Sequence, residues 1–183
     1  MKKHLLTFGY ERLEQSGKTY NVNGEKIISR KKTNNKWFET QDSISYWDDF
    51  YKQKIVWGNL SLSAQYSLAE EGLFINAPSP IIAPGDGYLL AILNSRLADW
   101  YIRSLGVSRN GGYFEYKPMF VEKLPVPNVD KKIQNEIEEK AFFIQKLKSM
   151  EQTTISLEKE LDYVVFSLYG IDENERAFIL DQK

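Results

Sequence analysis

The pattern of polar and apolar positions predicts loops and short strands over residues 1–40. The segment "TYNVNGEKII" places Asn23-Gly24, a strong hairpin-turn signal, between two short strands. "KIVWGNLSL" alternates like one strand, and "GLFINAPSPIIA" gives two more apolar runs that prolines interrupt. Ahead of these runs, Ser45 and Asp48 have the spacing of a capping box, which predicts one or two helical turns over "YWDDFYK".

Apolar residues recur with the longer period of an α-helix over "GYLLAILNSRLADWYIRSLG", which predicts one continuous amphipathic helix. Its apolar stripe consists of Leu89, Leu93, Leu97, Trp100, Tyr101 and Leu105. Gly106 stands where a C-terminal cap belongs, and Asn94-Ser95 within the helix are expected to bond to neighbouring backbone or loops. The segment that follows, "GGYFEYKPMFVEKLPVPN", is predicted to be extended.

From Asp130 onward, apolar residues recur at helical spacing and charged faces separate them, which predicts two helices. The stripes are Ile133, Ile137, Ile144 and Leu147, then Leu157, Leu161, Val164 and Leu168. Ser149 and Gln152 are expected to cap the second helix, Gly170 to end it, and Asp172-x-x-Glu175 to open a short third helix. These apolar stripes must pack against another surface, either the rest of the chain or another chain.

The pattern as a whole predicts an α/β fold of α+β-like character. Residues 1–127 would form a globular domain with mixed short strands around a central helix. Residues 128–183 would form a helical tail of two long helices and a short terminal one. Trp47, Trp57 and Trp100 are predicted to lie in the core.

Composition and charge limit the kinds of site and partner that the chain can have. The chain has no cysteine and a single histidine, His4, so disulfides, zinc sites and histidine-dependent catalysis are not expected. With no signal peptide and no apolar run near the roughly 20 residues of a membrane helix, we expect a cytoplasmic protein.

Charge is distributed unevenly along the chain. Residues 1–60 carry 11 Lys/Arg against 7 Asp/Glu, whereas residues 130–183 carry 8 against 12. This asymmetry permits nucleic-acid contact on one side only.

No catalytic or metal-binding set is recognisable in the sequence. Gly85-Asp86-Gly87 lacks the Lys-Ser/Thr of a phosphate loop and is more typical of a turn. Asp130 with Glu138-x-Lys140 has the composition of a nuclease motif, but these residues fall on the polar face of a predicted helix. We therefore expect no enzymatic activity and no metal in this chain.

Several motifs, in this order along the chain, carry a resemblance to a known family. "YLLAILNSRLADWYI" followed by "GGYFEYKPMFVEKLPVPN" resembles the TaqI-like C-terminal specificity domain. That domain is the target-recognition domain of type IIG restriction-modification enzymes and related adenine-N6 DNA methyltransferases. "NKWFETQ" resembles the family's Trp-Tyr/Phe-Glu signature, "YKQKIVWGNLS" its Lys-Ile-Val strand, and "LEKELDYVVFSLYGIDENE" its closing helix. The resemblance spans nearly the whole chain.

The resemblance implies a C-terminal fragment that binds double-stranded DNA in the major groove. In such enzymes S-adenosylmethionine, the Asn-Pro-Pro motif and any type II endonuclease domain lie upstream, and the methyltransferase domain flips an adenine out of the duplex. The segment Asn76-Ala-Pro-Ser-Pro80 is not that motif. No cofactor is therefore expected in this fragment, and its partners would be DNA and the upstream domain.

The first candidate DNA contact is the segment "RKKTNNKWFE". Its long cations suit phosphates and its amides suit base edges. The candidate residues are Arg30, Lys31, Lys32, Asn34, Asn35 and Lys36. Trp37 and Phe38 are expected to anchor the far end of the loop to the core. The alternative is an ordinary hairpin tip with solvated lysines.

Two further segments are candidates. In "SRNGGY", Arg109 and Asn110 precede two glycines that let the backbone approach a ligand, although a helix cap and turn would also explain them. In "NLSLSAQYS", alternation predicts two strand faces, and a polar outer face is the alternative to base contact. One face would carry Ser61, Ser63 and Gln65, and the other Leu60, Leu62 and Ala64.

A second hypothesis for the whole chain is a protein-interaction module. The acidic helical tail would then pair with a partner protein or with a second copy of itself. Salt separates the two hypotheses, because phosphate contacts weaken steeply with salt and apolar helix pairing does not.

Overall fold

A computed structural model describes residues 1–42 and 45–182. Its backbone divides into two compact units, Met1–Ser45 and Tyr46–Lys183. Helices and small antiparallel sheets occur together, so the predicted mixed fold class is confirmed. Among the described residues, no helix is both long and apolar enough to cross a membrane.

The first unit is built on a hairpin. After two short helices, α1 (Lys2–Leu6) and α2 (Tyr10–Leu13), β1 (Thr19–Val22) pairs antiparallel with β2 (Glu25–Ile28). Asn23 and Gly24 join the strands with φ angles of 52° and 84°. A type I′ hairpin turn requires positive φ at both positions, which Asn and Gly tolerate best. The hairpin predicted from these two residues is confirmed.

Two small sheets lie in the second unit. After a 3₁₀ turn, Trp47–Tyr51, strands β3 (Lys54–Trp57), β5 (Tyr66–Ala69) and β6 (Ile81–Ile82) form an antiparallel sheet in the order β5-β3-β6. The other sheet has the order β4-β8-β7, from β4 (Leu60–Ser61), β7 (Ser108–Arg109) and β8 (Tyr113–Glu115). "KIVWGNLSL" therefore contributes to two sheets, and the single strand predicted there is wrong. The predicted capping box is also wrong, since Tyr46 is the N-cap and makes no side-chain cap bond.

The predicted central helix is two helices, α3 (Gly87–Leu93) and α4 (Arg96–Leu105). Ser95 has extended backbone and its side chain accepts a bond from the Ala98 N–H, so it starts a new helix. Asn94 bonds through its side chain to both the N–H and the carbonyl of Tyr66, at 3.0 and 2.9 Å. The expected backbone bonding of this pair is confirmed, whereas the continuity of the helix is wrong. Periodicity alone does not show such a break, because α3 and α4 keep their apolar faces.

Close packing accounts for the Gly85-Asp86-Gly87 segment. A Cβ atom at Gly85 would lie 2.6 Å from the Ile55 nitrogen, and one at Gly87 would lie 2.6 Å from Cγ of Glu138. The Asp86 side chain accepts a bond from the Leu89 N–H and caps α3. The segment is therefore a helix start against which other elements pack, as expected of a structural turn.

Four helices complete the second unit: α5 (Pro118–Val121), α6 (Lys131–Ser149), α7 (Ile155–Leu168) and α8 (Glu173–Asp181). The extended conformation predicted after Gly111 is wrong from Pro118, where α5 begins. Ser149 is the last residue of α6 and Thr154 is the N-cap of α7, so the predicted Ser149 cap is wrong. Two local predictions are confirmed: Gly170, at φ 68°, follows the end of α7, and Asp172 with Glu175 forms a capping box.

The core of the second unit lies between the β5-β3-β6 sheet, α3 and α6. Ile55 and Ile92 are fully buried there, and Ile137 from α6 is 1% exposed. The apolar stripe of α6 thus packs on α3, within the same chain. Trp57 is buried as predicted, Trp100 is half-buried, and Trp47 is 47% exposed, so its core assignment is wrong. Trp47 instead packs against other aromatic rings at the surface.

Side chains cover the outer edge of strand β5. The Leu68 N–H donates to Oε1 of Gln145 at 2.7 Å, and Nε2 of Gln145 donates to the Leu68 carbonyl at 3.1 Å. Asn94 does the same for Tyr66, and the Ala64 N–H just before the strand donates to Asp99. Three side chains therefore occupy the backbone positions that a neighbouring strand would otherwise use.

Candidate nucleic-acid interface

The cationic loop of the first unit, residues 31–36, presents its lysines to solvent. The side chains of Lys31, Lys32, Asn34 and Lys36 are exposed. Within the part of the chain that the structure describes, neither Lys31 nor Lys32 makes a side-chain hydrogen bond or an ion pair. Lys36 lies with its Nζ 5.8 Å from the centre of the Phe38 ring. These lysines are available as point charges.

Arg30 serves a different purpose from the lysines beside it. Its guanidinium donates to the Leu13 carbonyl at 2.6 and 2.8 Å, to the Trp37 carbonyl at 2.6 Å and to the Glu39 carbonyl at 3.1 Å. The residue is only half exposed. Arg30 therefore holds the two ends of the loop together, and its predicted contact with DNA stays a prediction.

Gln15 organises the same loop from inside and was missed from the sequence. Its side chain, in a residue only 5% exposed, donates to the carbonyls of Lys36 and Glu39 at 2.9 and 3.0 Å and accepts from the Thr33 hydroxyl. The Asn35 side chain donates to the Thr40 carbonyl at 2.9 Å. Of the two predicted amides, Asn34 is thus the one without a described side-chain bond.

Aromatic packing fixes the end of the loop within the first unit. Trp37 and Phe38 are half-buried, and their rings meet edge to face with centres 5.4 Å apart. Trp37 also contacts Tyr10 of α2, and Lys2 of α1 lies over the Phe38 ring at 3.8 Å. These contacts fit the expected anchoring role, and they bring another cation next to the loop.

In the second unit, strands β7 and β8 form an exposed hairpin. Ser108 pairs with Phe114 and Arg109 with Tyr113, and Asn110-Gly111-Gly112 form the loop. Gly111 and Gly112 have φ angles of 81° and 79°, a conformation that favours glycine. Every residue from Val107 to Tyr113 is exposed. A groove of about 520 Å³ runs beside the hairpin and is lined by Asn59, Leu60, Ser108, Arg109, Asn110, Glu115 and Lys117.

An ion-pair cluster occupies this groove. Nε and Nη2 of Arg109 both donate to Oε1 of Glu115, and Nζ of Lys117 lies 2.9 Å from Oε2. Glu115 is buried, with a side chain 7% exposed, whereas the Arg109 side chain is 55% exposed. Lys117, and then Arg109, lower the pKa of the Glu115 carboxyl through their hydrogen bonds, so it is held as a carboxylate. Glu115 was missed from the sequence: alternation along β8 places it on the same face as Tyr113, and only the pairing of Tyr113 with Arg109 brings Arg109 to that face.

A second buried acid supports the base of the hairpin. Asp99 of α4, 3% exposed, accepts bonds from the Tyr116 hydroxyl and the Ala64 N–H and forms an ion pair of 3.0 Å with Arg103. The Arg103 guanidinium lies over the Phe114 ring of β8, 3.7 Å from its centre. Burial and the hydrogen bond to Asp99 raise the pKa of the Tyr116 hydroxyl, so it remains a donor. The hairpin is thus fixed to α4 by charged groups.

Comparison with family models identifies the chain. Residues 1–126 match the model described as TaqI-like C-terminal specificity domain. The chain belongs to this family. It is a DNA-recognition domain of restriction-modification systems, as the resemblance implied, and the family is one of specificity domains, not catalytic ones. None of the curated proteins gives a significant match.

The match ends before the long helices of the specificity domain. It includes the loop of residues 31–36 and the hairpin of residues 107–115, and it stops ahead of α6. The likeness of α7 to a family closing helix therefore stays a prediction. The family implies DNA and a methyltransferase domain as partners.

The polar residues predicted on one strand face are separated in the specificity domain. Ser61 lies in β4, whereas Ser63 and Gln65 lie in the connection to β5 and line a different cavity, of about 670 Å³, beside α6 and α7. Leu60 and Leu62, predicted to point inward, are 52% and 54% exposed. The single alternating strand is wrong, because the chain bends after Ser61. Arg109 and Asn110 are the predicted pair that the fold does bring together in one groove.

Proposed function

We propose that this specificity domain binds duplex DNA in the major groove, with the hairpin of residues 107–115 at the base edges. The observation that carries the proposal is an exposed two-stranded ribbon whose groove presents Arg109 and Asn110. The major groove of B-DNA is about 12 Å wide and admits such a ribbon. Arginine and asparagine are residues that form paired hydrogen bonds with base edges there.

The cationic loop would supply phosphate contacts. Lys31, Lys32 and Lys36 are exposed and belong to a unit that carries 9 Lys/Arg against 5 Asp/Glu. Lysine is a flexible point charge that suits phosphates, and such contacts set affinity without reporting the sequence. Asn34 is the amide of the loop that remains available for a base edge. Ser61, Ser63 and Gln65 are retained as weaker candidates, Ser61 because β4 pairs with the hairpin strand β8.

The recognised DNA would be modified by another domain. Membership of the family, which implies a methyltransferase domain as a partner, supports this. We infer an adenine-N6 enzyme of type IIG that holds S-adenosylmethionine in its own domain, acts in the cytoplasm and flips the target adenine. An Asn-Pro-Pro-Tyr/Phe motif encoded just upstream of Met1 would support this inference, and an unrelated upstream sequence would oppose it.

A salt titration tests DNA binding. The 183-residue chain is titrated into a labelled pool of random duplexes at 50, 100 and 200 mM salt, and the dissociation constant is taken from fluorescence anisotropy. If 6–10 phosphates are contacted, affinity should fall by roughly 10³–10⁵ over this range. Absence of binding at 50 mM salt, or binding that does not change with salt, contradicts the proposal.

The alternative is a protein-interaction module that uses the helical tail. Phe143, Met150 and Ile155 of the α6–α7 region are each more than half exposed, at 52%, 56% and 63%. The predicted division into a globular part and a tail after residue 127 belongs to this alternative and stays a prediction. Concentration-dependent association that is insensitive to salt, without DNA binding, would favour it.

A further inference from the structure

The contact between Arg109 and Glu115 leaves a defined part of the guanidinium free. An arginine side chain has five N–H donors in a planar fork. One from Nε and one from Nη2 are directed to Oε1 of Glu115. The remaining donors are both hydrogens of Nη1 and the second hydrogen of Nη2. Two of these, one on each terminal nitrogen, point the same way along the end of the fork.

That end matches the edge of one base. Guanine presents two acceptors, O6 and N7, side by side in the major groove, and a bidentate arginine is the commonest specific contact to them. Adenine and cytosine each present a donor at this edge, which an arginine, having no acceptor, cannot pair with. Thymine presents a single acceptor beside a methyl group.

We propose that Arg109 contacts a guanine through the end of its guanidinium, and that Glu115 is the residue that orients it. The proposal rests on the proposed DNA-binding function and deepens it. Glu115 is itself fixed: its backbone lies in β8 opposite Leu60, its side chain is buried, and Lys117 binds its second oxygen at 2.9 Å. Arg109 is therefore held in position before DNA arrives, and less side-chain freedom is lost on binding.

A base edge fits this cluster better than a phosphate does. Arg109 and Lys117 share the buried carboxylate of Glu115, and a phosphate on the Arg109 fork would bring a second negative group towards that carboxylate. Guanine O6 and N7 are neutral acceptors and add no such repulsion. The free lysines at Lys31 and Lys32 have no carboxylate partner among the described residues, so phosphate contact is assigned to them.

Selection from a random duplex pool tests the inference. The full 183-residue chain, the Arg109→Lys variant and the Glu115→Gln variant each select duplexes at 50 mM salt, and the bound pool is sequenced. Arg109→Lys keeps the charge and removes the fork, whereas Glu115→Gln keeps the fork and removes the charged anchor. Lys159→Gln, an exposed lysine on α7 outside the groove, is the matched control.

The wild-type chain and the control should select a guanine at one position. Arg109→Lys should lower that preference about tenfold, and Glu115→Gln several-fold, while both keep the wild-type affinity for unselected duplexes within about threefold. Because Arg109 is exposed, its variant retains the fold, which a matching thermal unfolding curve verifies, so the test does not depend on Glu115→Gln alone.

Three results overturn the inference, and they differ from failure of DNA binding itself. The first is a wild-type pool without a guanine preference, and the second is a preference that survives Arg109→Lys. The third is an equal loss of affinity for all duplexes, with a shallower salt dependence, which would make Arg109 a phosphate contact. If the wild-type chain binds no duplex at 50 mM salt, the proposed function fails first and the guanine contact fails with it.

Discussion

The loop of residues 31–36 and the hairpin of residues 107–115 both present cations to solvent, but they hold those cations in different ways. Lys31 and Lys32 have no described partner, whereas Arg109 is bound to a buried carboxylate. The units around them differ as well: the first carries 9 Lys/Arg against 5 Asp/Glu, and the second carries 15 against 20. Lysines without an acidic partner suit contacts to phosphates. An arginine guanidinium that a carboxylate holds in one orientation suits contacts to a base edge.

The side chains that hold the loop and the hairpin in place differ as well, and we call them the supports of the two regions. In the first unit, Gln15 and Arg30 bind backbone carbonyls, so the shape of the loop depends on hydrogen bonds to the main chain. In the second, Asp99 and Arg103 hold the hairpin through buried charges. Removing a support should therefore affect the two regions by different amounts.

The largest effect is expected at Asp99. Asp99→Ala leaves Arg103 without its buried partner and the Tyr116 hydroxyl without an acceptor, which should lower the free energy of unfolding by about 3–5 kcal/mol. Urea denaturation of the second unit measures the change. Asp48→Ala, which removes an exposed acid from the 3₁₀ turn, is the control and should change stability by less than about 0.5 kcal/mol. A loss below about 1 kcal/mol at Asp99 would mean that the hairpin does not depend on this cluster.

Arg30→Lys should have the next largest effect. The charge remains, but the bonds to the Leu13, Trp37 and Glu39 carbonyls cannot all be kept, so the loop should lose about 2 kcal/mol of local stability. Hydrogen exchange of the amides of residues 31–40 measures this loss, with the exposed Lys26→Ala as control. Unchanged exchange together with weaker DNA binding would show that Arg30 acts on DNA and not on the loop.

Replacing Lys31 and Lys32 together should act on binding and not on stability. The double alanine variant should bind every duplex about tenfold more weakly, and the slope of log affinity against log salt should fall by about 2 units. Lys140→Ala with Lys159→Ala removes two exposed lysines from the tail helices and is the matched control. A loss confined to one DNA sequence would show that these lysines contact bases.

The smallest effect is expected at Asp162 of α7, and it depends on pH. Burial raises the pKa of the Asp162 carboxyl to about 6, above its ordinary 3.8. The protonated form is therefore favoured on folding, and the stability it contributes is fully present below about pH 4 and lost as pH rises through 6. Because Asp162 is only partly buried, we expect about 1 kcal/mol.

Asp162→Asn tests this sign, because it keeps an acceptor for the Arg96 N–H, which lies 2.8 Å from Oδ1. Urea unfolding of both proteins at pH 4, 5.5 and 7 should show the variant gaining stability relative to wild type as pH rises. A difference that stays constant across this range would show that Asp162 titrates normally in the folded protein.

Local signals in the sequence predicted local structure correctly. Asn23-Gly24, Gly170 and the Asp172–Glu175 capping box each depend on residues within a few positions of one another, and each is confirmed. The family resemblance, carried by the order of several motifs, is confirmed over residues 1–126.

Features that depend on how the chain folds back on itself could not be predicted. Asn94 interrupts the central helix where it bonds to Tyr66, 28 residues earlier, and no pattern within the helix shows this. Glu115 becomes the partner of Arg109 only because β8 folds back on β7. Gln15 reaches a loop more than 20 residues ahead of it. The cations of the interface were visible in the sequence, but the residues that orient them were not.

The side chains along the outer margin of β5 also set an order of events during synthesis. Gln145 lies 77 residues after Leu68, so the polar groups of Leu68 have no partner until α6 has been made and docked. Unpaired strand margins recruit strands from other chains. A nascent or truncated polypeptide that ends before residue 145 should therefore be prone to aggregate, and the completed chain should not, because its own amide closes that margin.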